Sequence, residues 1–131
     1  LPGIVGVSNH QGSKATEDKR VMRVVFGELR KRGLFFLDSL TTPNSVCSEV
    51  ARAVDLRYTV RDVFLDITDK TDLEDLEGYI RQQIDRLSKV ALTEGMAIGI
   101  GHNIKITLIV IKDSIPRLEK EGTKIVPLKE L

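Results

Sequence analysis

An apolar, glycine-studded run, Gly95-Met96-Ala97-Ile98-Gly99-Ile100-Gly101, ends abruptly on the imidazole of His102. A run of that length suits a strand covered on both faces, and in parallel sheets ligand groups collect beyond the carboxyl ends of the strands. Three further apolar runs end the same way. Gly3 to Ser8 runs into Asn9-His10, Leu34-Phe35-Phe36-Leu37 into Asp38-Ser39, and Val63-Phe64-Leu65 into Asp66. Neighbouring parallel strands would gather these endings, with His10, Asp38, Asp66 and His102 on one rim. Each alone also has a purely structural reading, because aspartate and serine cap helices and histidine often satisfies a carbonyl.

Between the apolar runs lie helical patterns. Thr16 reads as an N-cap with Glu17 and Asp18 in the first turn, ahead of a stripe made by Val21, Met22, Val25, Phe26 and Leu29, with Gly33 as the stop. A shorter helix is expected from about Ser45, placing Val46, Val50 and Ala53 on one face. Thr71-Asp72-Leu73-Glu74 has the form of a capping box, and Leu73, Leu76, Ile80, Ile84, Leu87 and Ala91 follow at helical spacing up to Gly95. The segment after His102 has the β-branched content of a strand. Thr107 can nevertheless cap a helix there, with Leu108, Ile111, Ile115 and Leu118 on one face and Gly122 as the stop. We read it as helix, kinked or restarted at Pro116. A last short strand is expected over Lys124 to Val126. Five strands alternating with four helices give an α/β fold of alternating βα units with a mostly parallel sheet.

At 131 residues the chain fits a single domain. Its formal net charge of +1 comes from interspersed charges, which disfavours nucleic acid and anionic membrane surfaces as partners. Cys47 is the only cysteine, so neither an internal disulfide nor a cysteine-rich zinc site is expected. No apolar stretch approaches the roughly 20 residues that span a bilayer. The chain begins Leu1-Pro2 without an initiator methionine, and we expect a trimmed piece of something longer. It has no H-E-x-x-H, no phosphate-cradling glycine loop and no G-x-S-x-G elbow. Two histidines and two carboxylates on one rim could bind a hard or borderline cation such as zinc.

Taken in order, four segments resemble the divergent polysaccharide deacetylase family, a branch of the NodB-like carbohydrate deacetylases. They are Asn9-His10-Gln11-Gly12-Ser13 with Thr16, Gly33 to Ser39, Arg61-Asp62-Val63-Phe64-Leu65-Asp66, and Ala97 to His102. The resemblance implies a distorted (β/α) barrel of about seven strands, of which residues 1–131 would be the carboxyl-terminal part. It also implies an exported or periplasmic protein that removes acetyl groups from an amino sugar polymer with a divalent metal such as zinc. On that resemblance His10 is the metal-ligand candidate, Asp38 and Asp66 are candidate base or orienting carboxylates, and His102 is the candidate acid. Asn9, Ser39 and Arg61 would bind or orient substrate, Arg61 by pairing with a carboxylate.

The chain departs from the family pattern in three places. Lys14 stands where the wider superfamily has a second histidine, Gln11 and Asn103 replace an expected methionine and proline, and an earlier strand ending in paired aspartates is absent. A non-catalytic saccharide-binding or envelope-interaction protein is the alternative those departures favour.

Overall fold

A computed structural model describes residues 3–130, and the chain divides between Arg61 and Asp62 into two compact units. Strands and helices alternate and every strand pair is parallel, so the α/β class read from the sequence holds.

The first unit contains β1 (Gly6–Ser8), α1 (Ser13–Thr16), α2 (Lys19–Lys31), β2 (Phe35–Asp38), α3 (Cys47–Val54) and β3 (Tyr58–Val60). Its sheet has the order β1-β2-β3, with Ser8 opposite Leu37 and Asp38 opposite Val60. All four residues of β2 are buried, which is why that segment reads as a continuous apolar run rather than an alternating one. Met22, Phe26 and Leu29 of α2 pack with Phe36 and with Cys47, Val50 and Ala51 of α3, and the Phe26 and Phe36 rings lie 4.8 Å apart. Burial of side chains of this size stabilises by about 1.5–3 kcal/mol each. Thr16 is not the cap of the long helix. It closes the short α1, and Asp18, in extended conformation, accepts from the amides of Arg20 and Val21. The carboxylate wins because the chain makes one tight turn, Thr16 N–H to Gly12 O, before the helix can start.

The second unit contains β4 (Val63–Phe64), α4 (Leu73–Glu94), β5 (Gly99–Ile100), α5 (Lys105–Lys120) and a closing 3-10 turn at Leu128–Glu130. Val63 lies opposite Gly99 and Phe64 opposite Ile100. Asp62 staples this pair: its amide donates to Ile98 O and its carboxylate accepts the Ile98 amide at 2.7 Å. Ile80 and Ile84 of α4 pack with Val110 and Leu118 of α5 against Val63 and Leu65. A Cβ on Gly99 would meet Leu87 Cδ2 at 2.6 Å, so helix and strand approach closely because that residue has no side chain.

Four expectations need correction in detail. Asp72, not Thr71, caps α4, accepting from Glu74 and Asp75. The strand expected from Val63 is present as Val63–Phe64, paired with β5, but a further strand, Tyr58–Val60, precedes it and pairs with β2. Residues after His102 are helical as expected, but α5 starts at Lys105 and runs unbroken past Pro116, with Ser114 Oγ donating to Val110 O one turn earlier. Lys124 to Val126 form no strand, because no ladder partner meets them among the described residues.

Candidate functional site

In the first unit the carboxyl end of β2 carries Asp38, fully buried, whose carboxylate accepts from three donors. These are the Leu40 amide at 2.8 Å, Ser45 Oγ at 2.6 Å and Tyr58 Oη at 3.3 Å. Burial, and then the negative charge of Asp38, push the Tyr58 phenol up from its ordinary value. Burial likewise pushes the Cys47 thiol to about 11, so it stays a thiol at neutral pH. Leu40 sits at φ 51°, a left-handed conformation costly for a leucine. Asp38 holds its amide, and Arg61 holds its carbonyl.

Next to this loop, Asn9 and Ser39 clasp each other. Asn9 Oδ1 accepts the Ser39 amide at 2.9 Å, and Ser39 Oγ donates to Asn9 O at 2.8 Å. Arg61 Nε donates to Ser39 O at 2.8 Å and its Nη2 to Leu40 O at 3.3 Å, so this guanidinium braces backbone carbonyls. His10 is exposed on the loop after β1.

In the second unit the carboxyl ends of β4 and β5 bring Asp66 and His102 together. The Asp66 side chain is wholly buried while His102 is 43% exposed, and Asp66 Oδ1 lies 2.8 Å from His102 Nδ1. Asp66 Oδ2 accepts the His102 amide at 2.7 Å and Thr107 Oγ1 at 2.8 Å. The Phe64 ring runs parallel to the imidazole, 7° between planes. A buried carboxylate bonded to Nδ1 orients the ring, and a half-exposed ring can exchange a proton through Nε2. Ser45, Tyr58, Phe64 and Thr107 escaped the sequence reading as members of these clusters. Thr107 stood out only as an N-cap candidate, but the N-cap position of α5 is Ile104, and Thr107 lies inside the helix with its hydroxyl on Asp66.

Among the described residues no three His, Cys, Asp or Glu side chains are grouped as a metal set. Lys14, four residues after His10, brings an ammonium group that donates hydrogen bonds and offers no lone pair. The described residues therefore do not by themselves form a closed metal site, and no step below passes through one. Among the described residues no helix is long and apolar enough to cross a membrane.

A family model described as divergent polysaccharide deacetylase matches residues 1–131. The chain is 32% identical over 117 residues to an uncharacterized protein of Haemophilus influenzae, covering 89% of this chain and 40% of that protein. It is 32% identical over 125 residues to the uncharacterized protein YibQ of Escherichia coli, covering 95% of this chain and 37% of YibQ. The chain thus spans about two fifths of the length of these curated relatives. The crystal structure of the uncharacterized protein ATU2773 from Agrobacterium tumefaciens is similar with a TM-score of 0.88 and 25% identity, over 96% of this chain and 49% of that one.

Proposed function

The chain belongs to the divergent polysaccharide deacetylase family, and from that premise we propose that the full-length protein hydrolyses the acetamide groups of an N-acetylated amino sugar polymer, peptidoglycan-like material being the substrate class. The observation that supports this reading is the Asp66–His102 pair, a buried carboxylate holding a half-exposed imidazole. In the reaction, water adds to the acetyl carbonyl carbon and the carbon–nitrogen bond breaks with its electron pair moving to nitrogen. His102 gives its Nε2 proton to that nitrogen, one proton of the water returns to His102 and the other goes to the amine, and acetate and a sugar ammonium leave. Asp66 holds the ring and balances the imidazolium charge. In the first unit, taken by itself, Asp38 orients the loop around it, since three donors occupy it away from solvent, and the Asn9–Ser39 clasp with Arg61 braces that loop. His10 is the chain's candidate donor to a divalent metal.

Acetate release from acetylated oligosaccharides by the full-length protein, with and without added divalent metal, tests this reading. Turnover that is lost in His102→Gln supports it, and turnover unchanged in that variant removes His102 from the chemistry. A second reading, a non-catalytic saccharide-binding protein, is favoured by Lys14, which stands four residues after His10. Oligosaccharide binding without acetate release under any metal loading would establish it instead.

A further inference from the structure

We propose that Thr107 is the positioning residue of the Asp66–His102 pair, fixing through Asp66 Oδ2 the tautomer in which His102 carries its proton on Nδ1. The inference rests on the reading of His102 as proton donor and adds the element that keeps the donor aligned. A carboxylate can swing about its Cβ–Cγ bond unless both oxygens are engaged. Oδ1 faces the ring, whereas Oδ2 is held from two directions, by the His102 amide at the strand end and by Thr107 Oγ1 from α5. With Oδ2 pinned by two donors, Oδ1 stays turned toward Nδ1. An ionised carboxylate only accepts, so Nδ1 must donate, and exchange with a substrate falls to Nε2.

Two further observations single out Thr107. It is wholly buried, so no bulk water competes for the carboxylate, and its β-branched side chain has few rotamers available in a helix. It is also the third residue of α5, whose N-cap position, Ile104, gives no side-chain cap. The hydroxyl thus brings the Asp66 carboxylate to an uncapped first turn, where helix amides favour negative charge. The second observation is Gly101. A Cβ there would lie 2.8 Å from Thr107 Cγ2 and 3.5 Å from Asp66 Oδ2. The glycine before His102 therefore leaves the room in which hydroxyl and carboxylate meet.

Imidazole nitrogen NMR on the full-length protein, comparing wild type with Thr107→Val and Thr107→Ser, tests this. Valine keeps the shape and removes the hydroxyl, and serine keeps the hydroxyl. In wild type and Thr107→Ser the His102 ring should show one tautomer with a slowly exchanging Nδ1 proton. In Thr107→Val that proton should exchange about tenfold faster or more, consistent with losing one hydrogen bond to a charged group. Any acetate release should fall in kcat with KM little changed. A folded Thr107→Val with wild-type ring signals and exchange overturns the proposal. If Thr107→Val does not fold, Gly101→Ala, which displaces the hydroxyl instead of deleting it, should speed exchange in the same way, and wild-type exchange there overturns the proposal equally. Altered ring signals in Thr107→Val with no acetate release from wild type would leave the positioning role standing and remove the deacetylase reading.

Discussion

Asp66 grips His102 twice, once at the ring and once at the backbone, with Nδ1 2.8 Å from one carboxylate oxygen and the amide nitrogen 2.7 Å from the other. One side chain thus fixes both where β5 ends and how the imidazole sits on it. Parallel pairing of Phe64 with Ile100 makes the grip possible, since each partner lies two residues beyond that registered pair.

Asp66→Asn should therefore be costly despite its size match. A carboxamide oxygen can accept, but its NH2 group faces a donor that previously had an acceptor. Unfolding by denaturant should show the second unit destabilised by about 1–3 kcal/mol. A shift within about 0.5 kcal/mol, the range of an ordinary surface change, would show that the carboxylate is not structurally committed.

His102→Gln should behave differently. The ring is 43% exposed, so little packing is lost, and losing its bond to the buried Asp66 Oδ1 should cost the second unit about 1 kcal/mol. Acetate release should nevertheless disappear, while the divalent metal content of the full-length protein should match wild type. Loss of stoichiometric metal from the folded variant would make His102 a ligand and not a donor.

Alkaline pH should weaken the first unit before it reaches ordinary base denaturation. The Cys47 thiol is raised from 9.0 to about 11, so between those values the folded state holds a proton that the unfolded chain has released. Its contribution is complete below pH 9 and is lost as pH rises through about 11. The raised Tyr58 phenol adds a loss of the same sign at higher pH. Urea midpoints of wild type should fall across this window, and Cys47→Ala should flatten part of the decline. An equally steep decline in that variant would contradict the thiol's share.

Gly6→Ala tests the packing of β1 on β2. A Cβ at position 6 would lie 2.4 Å from the Phe35 ring, its registered partner, and Phe35 is itself buried. Overpacking of this kind costs about 1–3 kcal/mol. Thermal unfolding of the variant at the wild-type temperature would show that the ring rotates aside at no cost.

The sequence displayed what depends on local pattern. The apolar stripes of α2 and α4, the buried run of β2 and the polar residues at strand ends were visible because burial imposes a period or a run length. The helical state of α5 was also legible, against β-branched propensity, but not its buried face, which is Thr107, Val110, Ser114 and Leu118, whereas Leu108 of the expected face is exposed. Choices between adjacent polar groups were not legible. Thr16 or Asp18, and Thr71 or Asp72, can all cap, and backbone geometry one residue away decides. Pairing partners were equally hidden, so Val63–Phe64 was legible as a strand while Tyr58–Val60 ahead of it was not. Within the candidate site, Asp66 and His102 were legible as endings, but Thr107 lies 41 residues from Asp66 and only the fold brings them into contact.

The buried thiol of Cys47 also makes the molecule a reporter of its own breathing. It is the chain's one cysteine, it belongs to the first unit, and its side chain is sealed among Met22, Phe26 and Val50. A thiol reagent can reach it only when that core opens. Labelling rates therefore yield the opening free energy of the first unit by itself, without an engineered probe and without signal from α4 or α5.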